Sequence, residues 1–234
     1  MDYHFKPIGI VRSCYPDKFG TPRQSGLVPP AHGFLEISSS LQPEFSLDGL
    51  NKFSHLWVIF IFHKNTENHF HSKVHPPRLG GKNIGVFATR SPHRPNPIGL
   101  SLVEIISVEK KGVWVSGVDL IDGTPILDIK PYLKDTEAKL EARSELVYEN
   151  DCKPRVTWSV DALKFLMGQP QAPHLKELIE QTLKLDPRPL IYKGYEGVAS
   201  PYREVHTVRF HDLDVHFRFI SKELIQIEKV RGYF

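Results

Sequence analysis

The sequence predicts a mainly β protein in which short strands form a small antiparallel barrel or sandwich, followed by a small α+β unit. Most of the 19 prolines lie in the first 135 residues, and proline disrupts helix interiors because it donates no backbone hydrogen bond. The segments between them are short, apolar and rich in β-branched and aromatic residues, as in small barrels and sandwiches. Beyond about Asp135, segments with apolar residues at helical spacing precede further strand patterns.

The strands of the first unit follow from local patterns. Residues 57–62 are apolar throughout and aromatic or β-branched, which favours a strand buried on both faces. Residues 102–108 and 113–118 flank a charged turn that contains Gly112, and they predict a hairpin. Four further strands are expected at residues 8–11, 34–37, 84–88 and 126–129, and a turn or two of helix at residues 47–53.

The second unit combines helices and strands. Residues 135–146 are highly charged and predict a linker or a loose helix. The segment after Pro173 places apolar residues on one helical face. Helices are expected at residues 161–167 and 174–185, and strands at residues 204–210, 214–220 and 225–230. The chain is therefore divided into domains at residues 1–150 and 151–234.

Composition excludes several classes of protein. With 40% hydrophobic and 24% charged residues, the chain is typical of a globular domain and not of a disordered one. Its longest apolar segment is far shorter than the roughly 20 residues that span a bilayer, and the first residues have no apolar signal region. The two cysteines, Cys14 and Cys152, make neither a disulfide framework nor a four-cysteine zinc site. A cytoplasmic protein without membrane contact is expected.

Positive charge is concentrated in one part of the chain. Between Asp48 and Glu104 the only acidic residue is Glu67. The same stretch holds half of the 12 histidines. Its basic residues are Lys52, Lys64, Lys73, Arg78, Lys82, Arg90 and Arg94. Such a stretch attracts polyanions, although a solvated loop that is basic by chance has the same composition.

Common cofactor and catalytic motifs are absent from the sequence. The glycines around Lys82 lack the Gly-Lys-Ser/Thr ending of a phosphate-binding loop, and no Rossmann glycine motif follows a strand. Ser101 lacks the flanking glycines of a hydrolase nucleophile. The histidines near His71 resemble a metal site, but no cysteine or acidic ligand accompanies them. No metal is therefore expected.

Two dense segments are candidates for a binding site. Residues 87–99 hold three closely spaced prolines, which favour a stiff loop that fixes Arg90, Ser91, Arg94 and Asn96. An arginine side chain binds carboxylate or phosphate through its planar guanidinium donors, so the loop is a candidate binding site. The alternative is a loop that only turns the chain and whose arginines are solvated. Residues 119–132 hold three aspartates at a turn and strand ends. These carboxylates suit a cation, a ribose or an amino group, or serve only as turn formers.

These segments, ATRSPHRPNPIGLS and DLIDGTPILDIKPY, closely resemble the signature motifs of the TsaA-like family. Residues 19–27, 53–57, 76–81 and 186–189 resemble family segments in the same order, so the resemblance covers nearly the whole chain. It implies a non-Rossmann antiparallel β-barrel that binds S-adenosylmethionine, a small C-terminal domain as in bacterial members, and a homodimer with the cofactor near the subunit interface. The implied reaction is methyl transfer to N6 of threonylcarbamoyladenosine at position 37, in the anticodon loop of threonine tRNA.

The resemblance also assigns roles to residues of this sequence. The cofactor contacts it implies are Arg23, Gln24, Ser25, His63, Lys64, Arg90, Leu100, Asp119, Leu120, Ile121 and Asp122. The expected substrate contacts are Arg94, Asn96, Asp128 and Lys130. A sulfonium methyl donor needs no metal, but the acceptor nitrogen is a poor nucleophile and requires a base or accurate positioning. Asp122, Asp128 and His63 remain alternatives for that base.

Two other functions remain possible from the sequence. One is a methyltransferase of the same fold that acts on another substrate. The other is a non-catalytic RNA-binding or regulatory module, which would stack bases on exposed aromatic side chains. Trp57, Phe60 and Phe62 lie in a segment that is expected to be buried, which counts against the second alternative.

Overall fold

Six antiparallel strands close into a barrel, as the family resemblance implied. The structure is a computed structural model that describes residues 3–65, 70–75, 83–143, 153–189, 192–194, 196, 198 and 203–233. The strands of the first part are β1 (Gly9–Ser13), β2 (Gly33–Ile37), β3 (His55–Ile61), β4 (Lys73–Val74), β5 (Ile84–Gly85), β6 (Ile98–Glu109), β7 (Gly112–Ser116) and β8 (Pro125–Pro131). The barrel has the order β1-β2-β7-β6-β3-β8, and β4 pairs with β5.

The barrel wall buries its inner face only. In β3, Leu56, Val58 and Phe60 are buried in the barrel, while the residues between them are half-buried. The prediction that residues 57–62 are buried on both faces is therefore wrong, because alternate residues of a barrel strand point outward. Trp57 is one of the outward residues, and its indole Nε1 donates a hydrogen bond to Glu137 Oε1 at 2.9 Å.

Three predicted elements of the first part are shorter than expected. Only two residues of 84–88 form a strand, and a 3-10 turn over Val86–Ala88 follows. The turn or two of helix expected at residues 47–53 is only a 3-10 turn over Leu50–Lys52, and a short helix α1 (Pro43–Ser46) that was not expected precedes it. The charged segment after Asp135 forms one helical turn, α2 (Lys134–Glu137).

The chain folds as two compact units, and the second is a small α+β unit. It comprises Ser13–His32, Gly117–Asp122 and the described residues from 153 onward. Its helices are α3 (Val160–Met167) and α4 (Ala172–Leu183), and its strands are β9 (Arg155–Trp158), β10 (His206–Phe210), β11 (Leu213–Ser221) and β12 (Leu224–Gly232). The strands form one sheet in the order β10-β11-β12-β9, with β9 parallel to β12. The predicted boundary near residue 150 lies outside the described residues and stays a prediction.

A buried arginine stabilises the second unit. The Arg188 side chain stacks on the Phe219 ring at 3.4 Å and pairs with Asp186 at 2.8 Å and Glu196 at 2.7 Å. Burial opposes ionisation of Asp186, but the hydrogen bonds from Arg188 prevail and lower the pKa of this carboxyl group. Burial, with Arg188 nearby, lowers the pKa of His206 to about 4. The segment at residues 186–189 thus has a structural role in this unit.

The described helices include none that is long and apolar enough to cross a membrane.

A substitution at Gly99 tests how tightly the barrel interior is packed. A Cβ atom at this position would lie 2.2 Å from Cζ of Phe60. We therefore expect Gly99→Ala to lower the free energy of unfolding by about 1–3 kcal/mol, because the ring must shift in a filled interior. Urea unfolding measures this loss.

Gly85→Ala is the matched control, because a Cβ atom there meets no atom of the described residues within 4 Å. Equal stability of the two variants would contradict tight packing at Gly99.

Candidate active site

The proline-rich loop is held by its own side chains. Thr89 Oγ1 donates to the Val86 carbonyl at 2.7 Å and accepts from Ser91 N at 3.2 Å. Arg94 Nη1 donates to the Thr89 carbonyl at 2.7 Å. Arg94, predicted as a substrate contact, therefore also braces this loop. The side chain of Arg90 is exposed on the same loop.

The turn after β3 is bonded to the proline-rich loop. Phe62 N donates to the Pro97 carbonyl at 2.8 Å, and Asn65 Nδ2 donates to the Pro92 carbonyl at 3.0 Å. Both bonds flank His63 and Lys64, which are exposed. The structure thus brings these two predicted cofactor contacts beside the loop that carries the predicted arginines.

Three predicted site residues share the outer face of the barrel. In the registers of β3 with β6 and β8, Ile59 lies between Leu100 and Asp128. Lys130 Nζ lies 2.8 Å from Asp128 Oδ2, and Asp128 Oδ1 accepts from Ile129 N at 2.9 Å. Asp128 and Lys130 therefore neutralise one another, so a proton-accepting role for Asp128 requires their ion pair to open.

In the second unit, two glycines hold the first predicted cofactor turn. Arg23, Gln24 and Ser25 precede Gly26, whose N–H donates to the Gly117 carbonyl at 2.8 Å. Gly117 has φ +74°, and a Cβ atom there would lie 3.0 Å from the Gly26 backbone. Glycine at 117 therefore permits the turn to approach the segment that leads into residues 119–122.

Residues 119–122 are held against the end of β1. Ser13 N donates to Asp122 Oδ1 at 2.9 Å, and Ser13 Oγ donates to the Leu120 carbonyl at 2.6 Å. Asp122 N donates to the Tyr15 carbonyl at 2.7 Å. Leu120 is buried and its carbonyl is bonded to Ser13, so neither its side chain nor its carbonyl is available to a ligand. Ser13 and Asn65 had no sequence signal as supporting residues, since their partners are distant in the chain.

Cys14 and Tyr15, which lie close to Asp122 in the second unit, are poorly suited to lose a proton. Burial raises the pKa of Cys14 to about 12. Burial, with Cys14 nearby, also raises the pKa of Tyr15. Both groups are therefore protonated at neutral pH, and neither acts there as a nucleophile or base.

The predicted residues thus fall into two sets within the two units. The first unit holds His63, Lys64, Arg90, Arg94, Asn96, Leu100, Asp128 and Lys130, and the second holds Arg23, Gln24, Ser25, Asp119, Leu120, Ile121 and Asp122. The basic residues Arg78 and Lys82 and the imidazole of His69 lie outside the described residues. Within the described ranges, no three histidine, cysteine or acidic side chains are arranged to hold a metal ion.

The first unit is thus a closed antiparallel β-barrel with a braced loop that carries Arg90 and Arg94. Family models match both parts of the chain: the tRNA-methyltransferase O N-terminal domain over residues 10–138, and the TrmO C-terminal domain over residues 152–232. The chain therefore belongs to the tRNA-methyltransferase O (TrmO) family, which confirms the resemblance to TsaA-like proteins.

Individual proteins are similar along the whole chain. The putative S-adenosylmethionine-dependent methyltransferase RcsF of Pseudomonas aeruginosa is 42% identical over 235 residues, covering 99% of each chain. The tRNA (adenine(37)-N6)-methyltransferase of Escherichia coli is 40% identical over 223 residues, covering 92% of this chain and 93% of that protein. The crystal structure of TrmO from Pseudomonas aeruginosa matches with a TM-score of 0.81 and 36% identity over 99% of each chain.

The bracing role of Arg94 can be tested by amide hydrogen exchange. We expect Arg94→Ala to speed exchange in residues 86–91 about tenfold or more, since a hydrogen bond from a charged donor contributes roughly 1.5–3 kcal/mol. Mass spectrometry of peptides from the native protein measures the rates.

Asn96→Ala is the control, because this exposed side chain lies in the same loop. Equal exchange in both variants would show that Arg94 does not brace the loop.

Proposed function

We propose that this protein is an S-adenosylmethionine-dependent methyltransferase that modifies N6 of the adenosine at position 37 of tRNA. The observation that carries the proposal is the braced loop with Arg90, in a chain that family models match in both parts. The names of its relatives in Pseudomonas aeruginosa and Escherichia coli support the cofactor and the tRNA substrate. Its place of action is the cytoplasm, where tRNA is modified.

The chemistry of the donor set fits the cofactor. S-adenosylmethionine supplies a sulfonium methyl group that a nucleophile can accept without a metal. Asp119 and Asp122 suit its ammonium and ribose hydroxyl groups, while Arg90, His63 and Lys64 suit its carboxylate. The exposed side chain of Leu100 offers an apolar surface for an adenine ring. Gln24, Ser25, Arg23 and the backbone of residues 120–121 complete the proposed cofactor contacts.

The acceptor is threonylcarbamoyladenosine in threonine tRNA. The delocalised lone pair makes its N6 a poor nucleophile, so His63, Asp122 or Asp128 removes the proton or positioning dominates. The threonyl carboxylate and nearby phosphates require cations, which Lys64 and Arg94 provide, as does Lys130 when its ion pair with Asp128 opens. Asn96 supplies an amide for hydrogen bonding to the same substrate.

The working form is a homodimer. The outer faces of β3 and β6 form an apolar ladder in which Ile61 pairs with Ile98 and Ile59 pairs with Leu100. Ile98 and Leu100 are 40% and 47% exposed, and Phe87 is 73% exposed. Burial of this ladder against a second copy removes apolar surface from water, and it brings the partner chain to the proposed cofactor contact Leu100.

Methyl transfer to tRNA tests the function directly. The purified protein is incubated with labelled cofactor, a chelator, and tRNA either with or without the threonylcarbamoyl group. We expect methylation of the modified threonine tRNA, and a loss of about 10- to 150-fold in Arg90→Ala, because a charged hydrogen bond contributes roughly 1.5–3 kcal/mol. Arg12→Ala is the control, since Arg12 pairs with Glu36 at the surface.

Other outcomes separate the alternatives. Cofactor binding that disappears with chelator would contradict a metal-free site. Transfer only to another substrate would support a different methyltransferase of the same fold. Salt-dependent RNA binding without transfer would support a non-catalytic module.

Light scattering tests the dimer. We expect Ile98→Glu to shift the protein from dimer to monomer at micromolar concentration, because a carboxylate in the ladder opposes burial. Ile106→Glu is the control: Ile106 lies on the same strand and is 49% exposed, but it lies outside the pairing of β6 with β3. An active wild-type protein that is monomeric would contradict the homodimer.

A further inference from the structure

The sheet of the second unit has one apolar and one polar face. Helix α3 packs against β12. The buried residues of β10, β11 and β12 include Val208, Phe210, Val215, Phe217, Ile225 and Ile227. The alternate residues lie on the opposite face. We call this opposite face the basic face, because Arg155, Arg209, Arg218, Lys229 and Arg231 lie on it.

Cations exceed carboxylates on the basic face. Asp214 is buried between two arginines, 3.1 Å from Arg209 and 3.8 Å from Arg231. Glu228 pairs with Arg218, and Asp17 Oδ2 lies 3.5 Å from Arg209 Nη1. Neither Lys229 nor Arg155 forms an ion pair with any other residue that the structure describes, and both side chains are exposed. Five cations thus meet three carboxylates, so among the described residues this face keeps a positive charge.

The centre of the basic face is polar. His216 lies between Thr207 and Lys229 in the strand register, and its Nδ1 lies 2.9 Å from Thr207 Oγ1. Burial, together with Arg231 and Lys229, lowers the pKa of this imidazole, so it is neutral at pH 7. Its Nε2 is buried and has no hydrogen-bond partner among the described residues.

These properties distinguish between classes of partner. Protein–protein interfaces have an apolar core depleted in charged residues. Interfaces with nucleic acid are more polar and much more positively charged. The basic face has charged and polar side chains at its centre, so its composition favours a nucleic acid over a protein.

We propose that the basic face binds the phosphate backbone of the tRNA substrate, as a contact separate from the residues that hold the cofactor and the reacting base. This inference rests on the proposed function, which brings RNA to the protein. Phosphate contacts orient the bound RNA without reading its sequence. The basic face therefore contributes affinity for tRNA in general, and it does not choose the nucleotide that is methylated.

A binding experiment tests the basic face. In the double variant Lys229→Gln with Arg155→Gln, two exposed cations are removed and no ion pair between described residues is broken. Each phosphate contact contributes roughly 0.7–0.9 to the slope of log affinity against log salt. We therefore expect the affinity for tRNA at 0.1 M salt to fall about 25- to 60-fold, and the slope to flatten by about 1.4–1.8. Filter binding across a salt series measures both.

The matched control removes two lysines from the helices that cover the other face. Lys164 lies in α3, and Lys184 caps the end of α4. We expect Lys164→Gln with Lys184→Gln to leave the affinity within about twofold of wild type and the salt slope unchanged. Thermal melts establish that both double variants are folded.

The outcomes separate this inference from the proposed function. If the wild type methylates tRNA but the two double variants bind it equally well, the basic face does not bind RNA. A second outcome is that the wild type binds tRNA but transfers no methyl group, while the double variant at Lys229 and Arg155 weakens the salt dependence of binding. That result supports the basic face and contradicts the proposed function. If the wild type is active, we expect the double variant at Lys229 and Arg155 to have a higher KM for tRNA and the same kcat. A lower kcat at unchanged KM would contradict a phosphate contact that is remote from the reaction.

Discussion

Closure of the barrel by β8 is the constraint on which the position of the candidate site depends. This strand pairs with β3 along its length but meets β1 at only two positions, Gly9 with Ile126 and Ile10 with Pro125. Ile8 N bonds to the Ile126 carbonyl at 2.7 Å, Val11 N to the Thr124 carbonyl at 2.9 Å, and Gly123 N to the Val11 carbonyl at 2.8 Å. Pro125 has no N–H group with which to add another bond. These few bonds fix where the strand with Asp128 begins in the first unit.

The strands that could be predicted are those whose signal is local. Residues 102–108 and 113–118 carry both strand composition and a turn, so the sequence alone predicts their hairpin. Strand β9 was not predicted, because it is four residues long and exists only through parallel pairing with β12, far along the chain. The segment at 84–88 has strand composition, yet the Thr89 hydroxyl bonds back to Val86 and favours a turn.

At the candidate site, the sequence could select residues but could not predict what their side chains contact. Motifs were sufficient to select residues 119–122, but they could not show that the Leu120 side chain is buried while its carbonyl accepts from Ser13. Nor could spacing show that Asp128 and Lys130 neutralise each other, since two residues of one strand meet only in particular rotamers. These environments depend on side-chain direction, which a one-dimensional pattern does not contain.

The arginines show most clearly that the structure is needed to tell which charged side chains are available to a ligand. Arg188 is buried and shared between two carboxylates and an aromatic ring, so it offers no charge to a ligand. Arg94 uses part of its guanidinium to hold backbone carbonyls. A net charge of +3 therefore does not locate the field at the surface, because internal pairs such as Asp186 with Arg188 and Asp214 with Arg209 cancel. The cations left over, such as Lys229, are the ones whose field extends into solvent and can attract a polyanion.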